Sequence, residues 1–380
     1  MKIAVWHNIR WSLYKAGVFS ALARLAEQRG DELFVHQICE TDSSRAVLSS
    51  VDPSLHAYPH AVLFPTSYDR ILAPILWLRV FRATLANRAD ITIISGFDRP
   101  EHWVQAVLLW VLGRRRAMFC DSTGFDRSRT MPKRIAKRLF FAMVPYSLSY
   151  GERARAYVID HGVLPERALR RCQAAYLPPS YAAATIPALR GEQAPAADAP
   201  VFLYVGRLSA EKDLDTLLRS FERVARAVAG ARLKLVGGGP DQARLVAMAA
   251  QLECAVRVEF AGSRSGDALR GEYLAATALV LPSRSEPWGL VVNEALHFGC
   301  PVVVSDRCGC VPELVEGSDC GIVFPCGDAE ALSAAMLEIA EQGRDGESMA
   351  RRCLAKIAPF SSQAAAEQIY AAIETIMADG

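Results

Sequence analysis

No apolar run in this 380-residue chain is long enough to cross a bilayer. The longest, such as Ile71–Val80 and Trp103–Leu112, fall well short of the ~20 residues a spanning helix needs. Arg79 and Gln105 also interrupt them. No signal peptide is visible, because Met1-Lys2-Ile3-Ala4-Val5 begins directly as a strand. These absences predict a cytoplasmic or peripheral protein. A metal framework is missing too. Among the ten cysteines, Cys300, Cys308, Cys310, Cys320 and Cys326 cluster in sequence, yet no Cys-x2-Cys step joins them and no His lies near Cys308 or Cys310. The seven histidines are scattered, with no His-Glu-x-x-His. Buried thiols of a reducing compartment, without a metal, are the expectation. No helix-turn-helix, zinc finger or aromatic RNP-like segment is present, so nucleic acid is not an expected partner.

Strong net charge is also lacking, but the formal +2 hides an asymmetry. Residues 1–190 carry 26 Lys+Arg against 15 Asp+Glu, and residues 191–380 carry 17 against 26. A basic half beside an acidic half predicts that one domain faces a polyanion. In that half, Met131–Leu148 places Lys133, Arg134, Lys137 and Arg138 at helical spacing beside Ile135, Leu139, Phe140 and Met143. Such a basic amphipathic helix fits an anionic membrane surface, and equally a helix packed on its own sheet with a solvated basic face.

Strand and helix patterns alternate along both halves, which predicts an α/β fold with parallel sheets covered by helices. Lys2–Trp6, Leu33–Ile38, Ile91–Ile94 and Ala117–Cys120 read as strands of a first series, with helices at Ala16–Arg29 and Trp103–Gly113. Residues 181–199 lack periodicity and are rich in Ala and Pro, which reads as a linker. A second series starts at Val201–Val205 and runs through strands at 233–236, 257–260 and 278–282 and helices at 213–229, near 241–252 and at 329–342. The domains are therefore expected at 1–180 and 200–358, with a last segment at 359–380.

The most informative stretch is Ser283-Arg284-Ser285-Glu286-Pro287-Trp288-Gly289-Leu290-Val291-Val292-Asn293-Glu294. It follows the apolar run 278–282 and reads as strand, loop and helix opening near Gly289. A helix start presents free N–H groups and a positive dipole end, which suits a diphosphate. Carboxylates that close would be repelled by phosphate, so Glu286 and Glu294 more plausibly accept hydrogen bonds from hydroxyls. Hydroxyls on both sides of a diphosphate describe a nucleotide-sugar. Arg207 and Lys212 follow a strand end and could neutralise such a diphosphate without a metal. Asp213 and Asp215 form an Asp-x-Asp triplet at a helix start, where acidic residues favour the dipole. Gly237-Gly238-Gly239-Pro240 fits a turn beside the nucleotide and equally a plain strand-to-helix turn.

The Glu-x7-Glu stretch, together with Gly206-Arg207-Leu208-Ser209-Ala210-Glu211-Lys212, Pro312-Glu313-Leu314-Val315 and Gly321-Ile322-Val323-Phe324-Pro325, resembles the donor half of retaining GT-B glycosyltransferases of family 4. The resemblance is specific from about 200 to 335. It implies two Rossmann-like domains facing each other across a cleft, with the C-terminal helix packing back on the N-terminal domain. It implies metal-independent transfer of a sugar, with retention, from a nucleoside-diphosphate-sugar to a glycan or lipid-linked acceptor in bacterial cell-surface polysaccharide or lipopolysaccharide synthesis. Glu286, Arg207 and Lys212 would be catalytic. Gly206, Gly238, Gly262, Trp288, Gly289, Leu290, Val291 and Glu294 would line the donor, and Gly17 would stand in the glycine loop through which the first domain approaches its phosphate. Where the family often has a histidine, this chain offers Asp121, which could orient an acceptor hydroxyl or cap the following turn. Other GT-B enzymes, such as an epimerase or a sugar-phosphate-accepting synthase, and a non-enzymatic nucleotide-sugar-binding module are the rival readings.

Overall fold

The computed structural model describes residues 1–10, 12–42, 53–125, 131–196 and 198–379. The chain divides into two compact units, Met1–Tyr176 with Phe360–Gly380, and Leu177–Pro359.

The first unit contains β1 (Lys2–Ile9), α1 (Leu13–Gln28), β2 (Glu32–Thr41), β3 (His60–Ser67), α2 (Ala73–Ala86), β4 (Ile91–Ile94), α3 (Pro100–Val111), β5 (Arg116–Cys120), α4 (Met131–Met143), β6 (Tyr146–Tyr150), α5 (Gly151–Asp160) and β7 (Ala168–Arg171). The sheet order is β3-β2-β1-β4-β5-β6-β7, and the pairings are parallel. Pleating sends successive side chains to opposite faces, so the sheet carries two cores. Ile3, Val5, Ile91 and Ile93 pack with Phe19 and Leu22 of α1 and with Ile369 and Ile373 of the C-terminal helix. Trp6, Ile94 and Met118 pack with Val80 of α2, Leu109 of α3 and Phe140 of α4. The helix expected over Met131–Leu148 stops at Met143, and Tyr146–Tyr150 is a fully buried strand. Pro145 explains the break, since it disfavours helical geometry at Val144.

The second unit contains α6 (Ile186–Gln193), β8 (Val201–Val205), α7 (Leu214–Ala227), β9 (Arg232–Val236), α8 (Gln242–Ala249), β10 (Val258–Gly262), α9 (Gly266–Leu274), β11 (Ala278–Leu281), α10 (Leu290–His297), β12 (Val302–Ser305), β13 (Gly321–Phe324), α11 (Ala329–Gln342) and α12 (Gly346–Ile357). Its sheet order is β10-β9-β8-β11-β12-β13, again parallel. The C-terminal helix α13 (Ser362–Ala378) returns to the first unit.

The stretch 181–199, read above as a linker, holds α6 and lies inside the second unit. Pro187 sits in the first turn of α6, where its missing N–H costs nothing. Arg190 is 1% exposed and donates from Nη1 to the carbonyls of Tyr273, Leu274 and Ala276 at 3.2, 2.7 and 2.6 Å. A guanidinium on the C-terminal carbonyls of α9 satisfies orphan acceptors and opposes the helix dipole. That anchor is what an Ala/Pro-rich composition hides. All ten cysteines are free thiols, and nine are buried.

Candidate functional site

In the second unit, the loops after β8, β9 and β10 are laced through their backbones. Gly206 N donates to Val236 O, Leu208 N to Gly238 O and Gly237 N to Gly262 O, at 3.0, 3.0 and 2.9 Å. Gly237 has φ +135° and an added Cβ would lie 1.9 Å from Gly206 O, so only glycine allows this approach. The glycine run therefore packs loop on loop. Gly238 itself is roomier, its nearest neighbours for a Cβ being Gln242 Oε1 and Ser263 Oγ at 3.7 and 3.8 Å, and Gly262 has nothing within 4 Å.

This lacing positions the two cations predicted from sequence. Lys212 pairs with Glu286, and both side chains are 15% exposed. Shielding of that kind makes the pair stronger than one in open water. Arg207 is 55% exposed and bonds Glu211 Oε1 at 2.8 Å, and Ser209 Oγ holds the same oxygen at 2.7 Å. An exposed pair of this type is weak and can be exchanged for a ligand. Tyr204 Oη donates to Arg207 O at 2.8 Å, which fixes the loop from below.

Asp213 and Asp215 flank the start of α7, and both have guanidinium partners. Asp213 is the N-cap residue in left-handed geometry, φ 51°. Its buried carboxylate takes Arg284 Nη2 at 2.7 Å and Thr216 Oγ1 at 2.9 Å. Asp215 takes both Arg244 nitrogens at 2.8 Å, and that hydrogen bonding holds its carboxyl below the usual range. Arg284 N also donates to Glu211 O at 2.8 Å, so the loop after β11 is tied to the Arg207–Lys212 loop.

Glu286 precedes the start of α10. Gly289 is its N-cap at φ +99°, and an added Cβ would stand 3.1 Å from Leu281 Cδ2. Leu290 and Val291 open the helix, which carries no side-chain cap. Trp288 is 3% exposed and donates from Nε1 to Asn293 Oδ1 at 2.7 Å, so its ring anchors the turn from inside. Gly309 N donates to Glu286 O and Cys310 N to Trp288 O, at 2.8 and 3.0 Å. Glu294 lies one turn further on, partly covered, and accepts from Tyr273 Oη at 2.7 Å. Burial pushes the Glu294 carboxyl up, against the lowering effect of that bond, and pushes the Tyr273 hydroxyl well up. Sequence reasoning missed Tyr273 because nothing in its stretch marked α9. It missed the Arg284–Asp213 tie because the partners lie 71 residues apart.

In the first unit, Asp121 is exposed just after β5 and lines a pocket of about 140 Å³ with His7, Lys15, Phe119 and Tyr150. Lys15, 5% exposed, bonds the Tyr150 hydroxyl. Burial drives its ammonium pKa well down, and the neighbouring Arg171 adds to this. Arg171 is 2% exposed, stacks 3.9 Å from the Tyr150 ring centroid and is pushed down to about 9 by burial. Neither cation was singled out from sequence, because nothing local marks a buried charge. Gly17 does not stand in a loop. It lies within α1, and a Cβ there would meet Ser362 Oγ at 2.9 Å. The absent side chain makes room for α13. Of the four basic residues on α4, Lys133, Arg134 and Arg138 are exposed. Lys137 instead turns inward over the rings of Phe97 and Tyr157, at 5.4 and 5.1 Å.

Residues 185–354 match the family described as glycosyl transferases group 1. A sulfoquinovosyl transferase of Arabidopsis thaliana is 34% identical over 34% of this chain and 24% of its own length. A D-inositol 3-phosphate glycosyltransferase of Mycobacteroides abscessus is 32% identical over 50% of this chain and 43% of its own. The chain thus spans less than half the length of these curated relatives. The crystal structure of Anabaena HepE in complex with UDP and glucose superposes with a TM-score of 0.73 and 18% identity, covering 99% of this chain and 100% of that one. That likeness is one of fold, GT-B.

Proposed function

We infer that this chain, a GT-B fold whose second domain carries the group 1 glycosyltransferase motif set, transfers a sugar from a nucleoside-diphosphate-sugar to a hydroxyl acceptor. The observation that carries the reading is the Lys212–Glu286 pair beside Arg207 and the uncapped start of α10, all at strand ends of one sheet. These strand ends flank the β8/β11 switch point, where ligands of open α/β sheets bind.

In this reading the diphosphate is held by Arg207, Lys212 and the N–H groups of Leu290 and Val291. Glu286 takes donor-sugar hydroxyls and orients Lys212 toward the phosphate. Glu294 takes the ribose diol through the oxygen that Tyr273 leaves open. Asp121 orients the acceptor hydroxyl from the first domain. The sugar C1–O bond to phosphate breaks as the acceptor oxygen attacks from the same face. The acceptor proton passes to the departing phosphate oxygen, and the configuration at C1 is retained. No metal is required, because two cations and a helix start supply the positive charge. The engagement of Asp213 and Asp215 by Arg284 and Arg244 supports that view.

The acceptor class we favour is a glycan or lipid-linked sugar of the bacterial cell surface, with the enzyme at the cytoplasmic face of the membrane. The exposed basic side chains of α4 support this, and the fold relative's complex with UDP and glucose makes UDP-sugars the first donors to try. The test is a thermal-shift screen of UDP-, GDP- and ADP-sugars, followed by anomeric analysis of the product by NMR. Stabilisation by one class and a product with the donor's anomeric configuration would support the reading. No stabilisation by any of them, or an inverted product, would overturn it.

A further inference from the structure

The helices α2, α3 and α4 pack on one face of the first sheet, and their outer surface is built the wrong way round for water. On α2 only Leu76, Val80 and Thr84 are buried, one stripe at i, i+4 and i+8. Apart from Arg79 and Arg82 the outward residues are still mostly apolar, with Ile75, Trp77, Leu78, Phe81 and Leu85 between 39% and 50% exposed and Leu72 just before the helix 68%. An apolar helix surface much wider than the stripe it buries normally has a second partner. On α3 polar side chains share the buried face with Ala106 and Leu109. Glu101, His102 and Gln105 are fully buried, whereas Val107, Trp110 and Val111 are 45%, 54% and 68% exposed. Hydrogen bonds lock this orientation. His102 bonds Gln105 Oε1 at 2.9 Å and Asn8 Oδ1 at 2.7 Å, and Gln105 Nε2 donates to Thr84 Oγ1 at 3.2 Å. The first is internal to α3, but rolling α3 to hide Trp110 would break the bonds to Asn8 and Thr84. The helix α4 adds Met131, Ile135 and Leu139, another i, i+4, i+8 stripe, 54–66% exposed. The three helices pack side by side, so their apolar residues lie on neighbouring surfaces.

Charge selects the occupant. Neither α2 nor α4 carries a carboxylate, and the one carboxylate on α3, Glu101, is buried. Arg79, Arg82, Lys133, Arg134 and Arg138 are exposed on these helices, and exposed carboxylates such as Asp90 and Asp98 lie in the loops outside them. Apolar side chains, two tryptophans and helices whose own exposed charges are all basic match the interface of an anionic bilayer. We propose that the outer face of α2 and α3, with Trp77, Leu78, Phe81, Trp110 and Val111, inserts into the interfacial layer of an anionic membrane. The exposed cations of α4 add attraction from its edge. The attachment is hydrophobic at its centre, and so differs from adsorption by the basic helix alone. It does not depend on the transfer reaction proposed above, and activity on a soluble acceptor reports on that reaction separately.

The test uses the full chain with vesicles of phosphatidylcholine and phosphatidylglycerol, with and without brominated acyl chains. Brominated lipid should quench tryptophan fluorescence, and the quenching should vanish in the Trp77→Phe, Trp110→Phe double variant. It should persist at about 0.5 M NaCl, where the Debye length is only about 4 Å. The Leu78→Ser, Phe81→Ser, Val111→Ser variant should bind vesicles at least ~tenfold more weakly at both salt levels. Replacing Lys133, Arg134 and Arg138 with Gln should weaken binding only at low salt. Absence of quenching in the wild type, or equal binding by the serine variant, would overturn the proposal. So would a wild-type dimer that the serine substitutions convert to monomer, because it would assign this face to a second copy. The phenylalanine variant leaves the apolar surface intact, so its readout stands even if the serine variant misfolds.

Discussion

At the scale of single residues, the site separates side chains by how much water reaches them. If Arg207 and Lys212 hold the leaving group as proposed, Arg207→Ala and Lys212→Ala should each lower kcat/KM by the equivalent of ~2–4 kcal/mol through the lost charge-assisted contact. Their stabilities should differ. Arg207 is 55% exposed and its removal should leave Tm unchanged. Lys212→Ala strands the largely covered Glu286 and should cost about 2–3 kcal/mol in urea denaturation. Equal Tm for the two variants would refute the assignment of a shielded pair. For the glutamates, Glu286→Gln should lower kcat more than donor affinity, and Glu294→Gln the reverse, as read by kcat and donor Kd. Glu294 also gives a pH signature. Burial raises its folded pKa, so the native state binds its proton more tightly. That contribution is complete below the unfolded value, about 4.3, and is lost as pH rises through the folded one. Wild-type stability should therefore fall relative to Glu294→Gln as pH increases from about 4.3, which a Tm series over pH would show.

At the scale of elements, two loops and one helix depend on features that composition disguises. Gly237→Ala would place a Cβ 1.9 Å from Gly206 O. The Arg207 loop must then move, and donor binding should fall with it, together with a stability loss of roughly 3 kcal/mol or more. Calorimetry with donor and a denaturation curve check both. Arg190→Met would leave two carbonyls of α9 and that of Ala276 just after it without their buried donor and should cost about 2–4 kcal/mol. A wild-type midpoint in that variant would show that α6 is held by other contacts. Several elements were readable from pattern alone. Residues 329–342 and the last helix obey period 3.6, and α10 begins where Gly289 predicts. By contrast α6 was hidden by Ala/Pro composition. The α4/β6 boundary was marked by Pro145, but the helical spacing of the basic residues before it outweighed that signal.

At the scale of the whole molecule, the first unit is assembled from both ends of the chain. Ala365, Ile369, Ile373 and Ile376 of α13 are almost wholly buried among α1 and the first sheet. A chain ending at Pro359 should therefore expose this apolar stripe and give a first unit that binds ANS and unfolds without cooperativity. The fragment 177–359 is continuous in sequence and should unfold as one transition. A cooperative first unit without α13 would refute that dependence. A donor at about 100 times its Kd should stabilise the chain by ~2.7 kcal/mol. Turnover should survive excess EDTA. Loss restored by Mg²⁺ or Mn²⁺ would assign Asp213 and Asp215 the role of metal ligands instead of helix-start residues.

The alternation of strands and helices, the strand end before Glu286 and the helix opening at Gly289 were set by local pattern, because turn chemistry and periodicity act over a few residues. The pairing of Lys212 with Glu286 joins residues 74 apart, and that of Tyr273 with Glu294 joins residues 21 apart on separate helices. No local signal carries such a distance, so only the folded sheet decided them. The same holds for Lys137, whose helical spacing matched its basic neighbours but whose side chain the fold turned over Phe97 and Tyr157. It holds most plainly for α3. Its composition states that it is apolar, but which side faces out was decided by the hydrogen bonds of His102 and Gln105 beneath it.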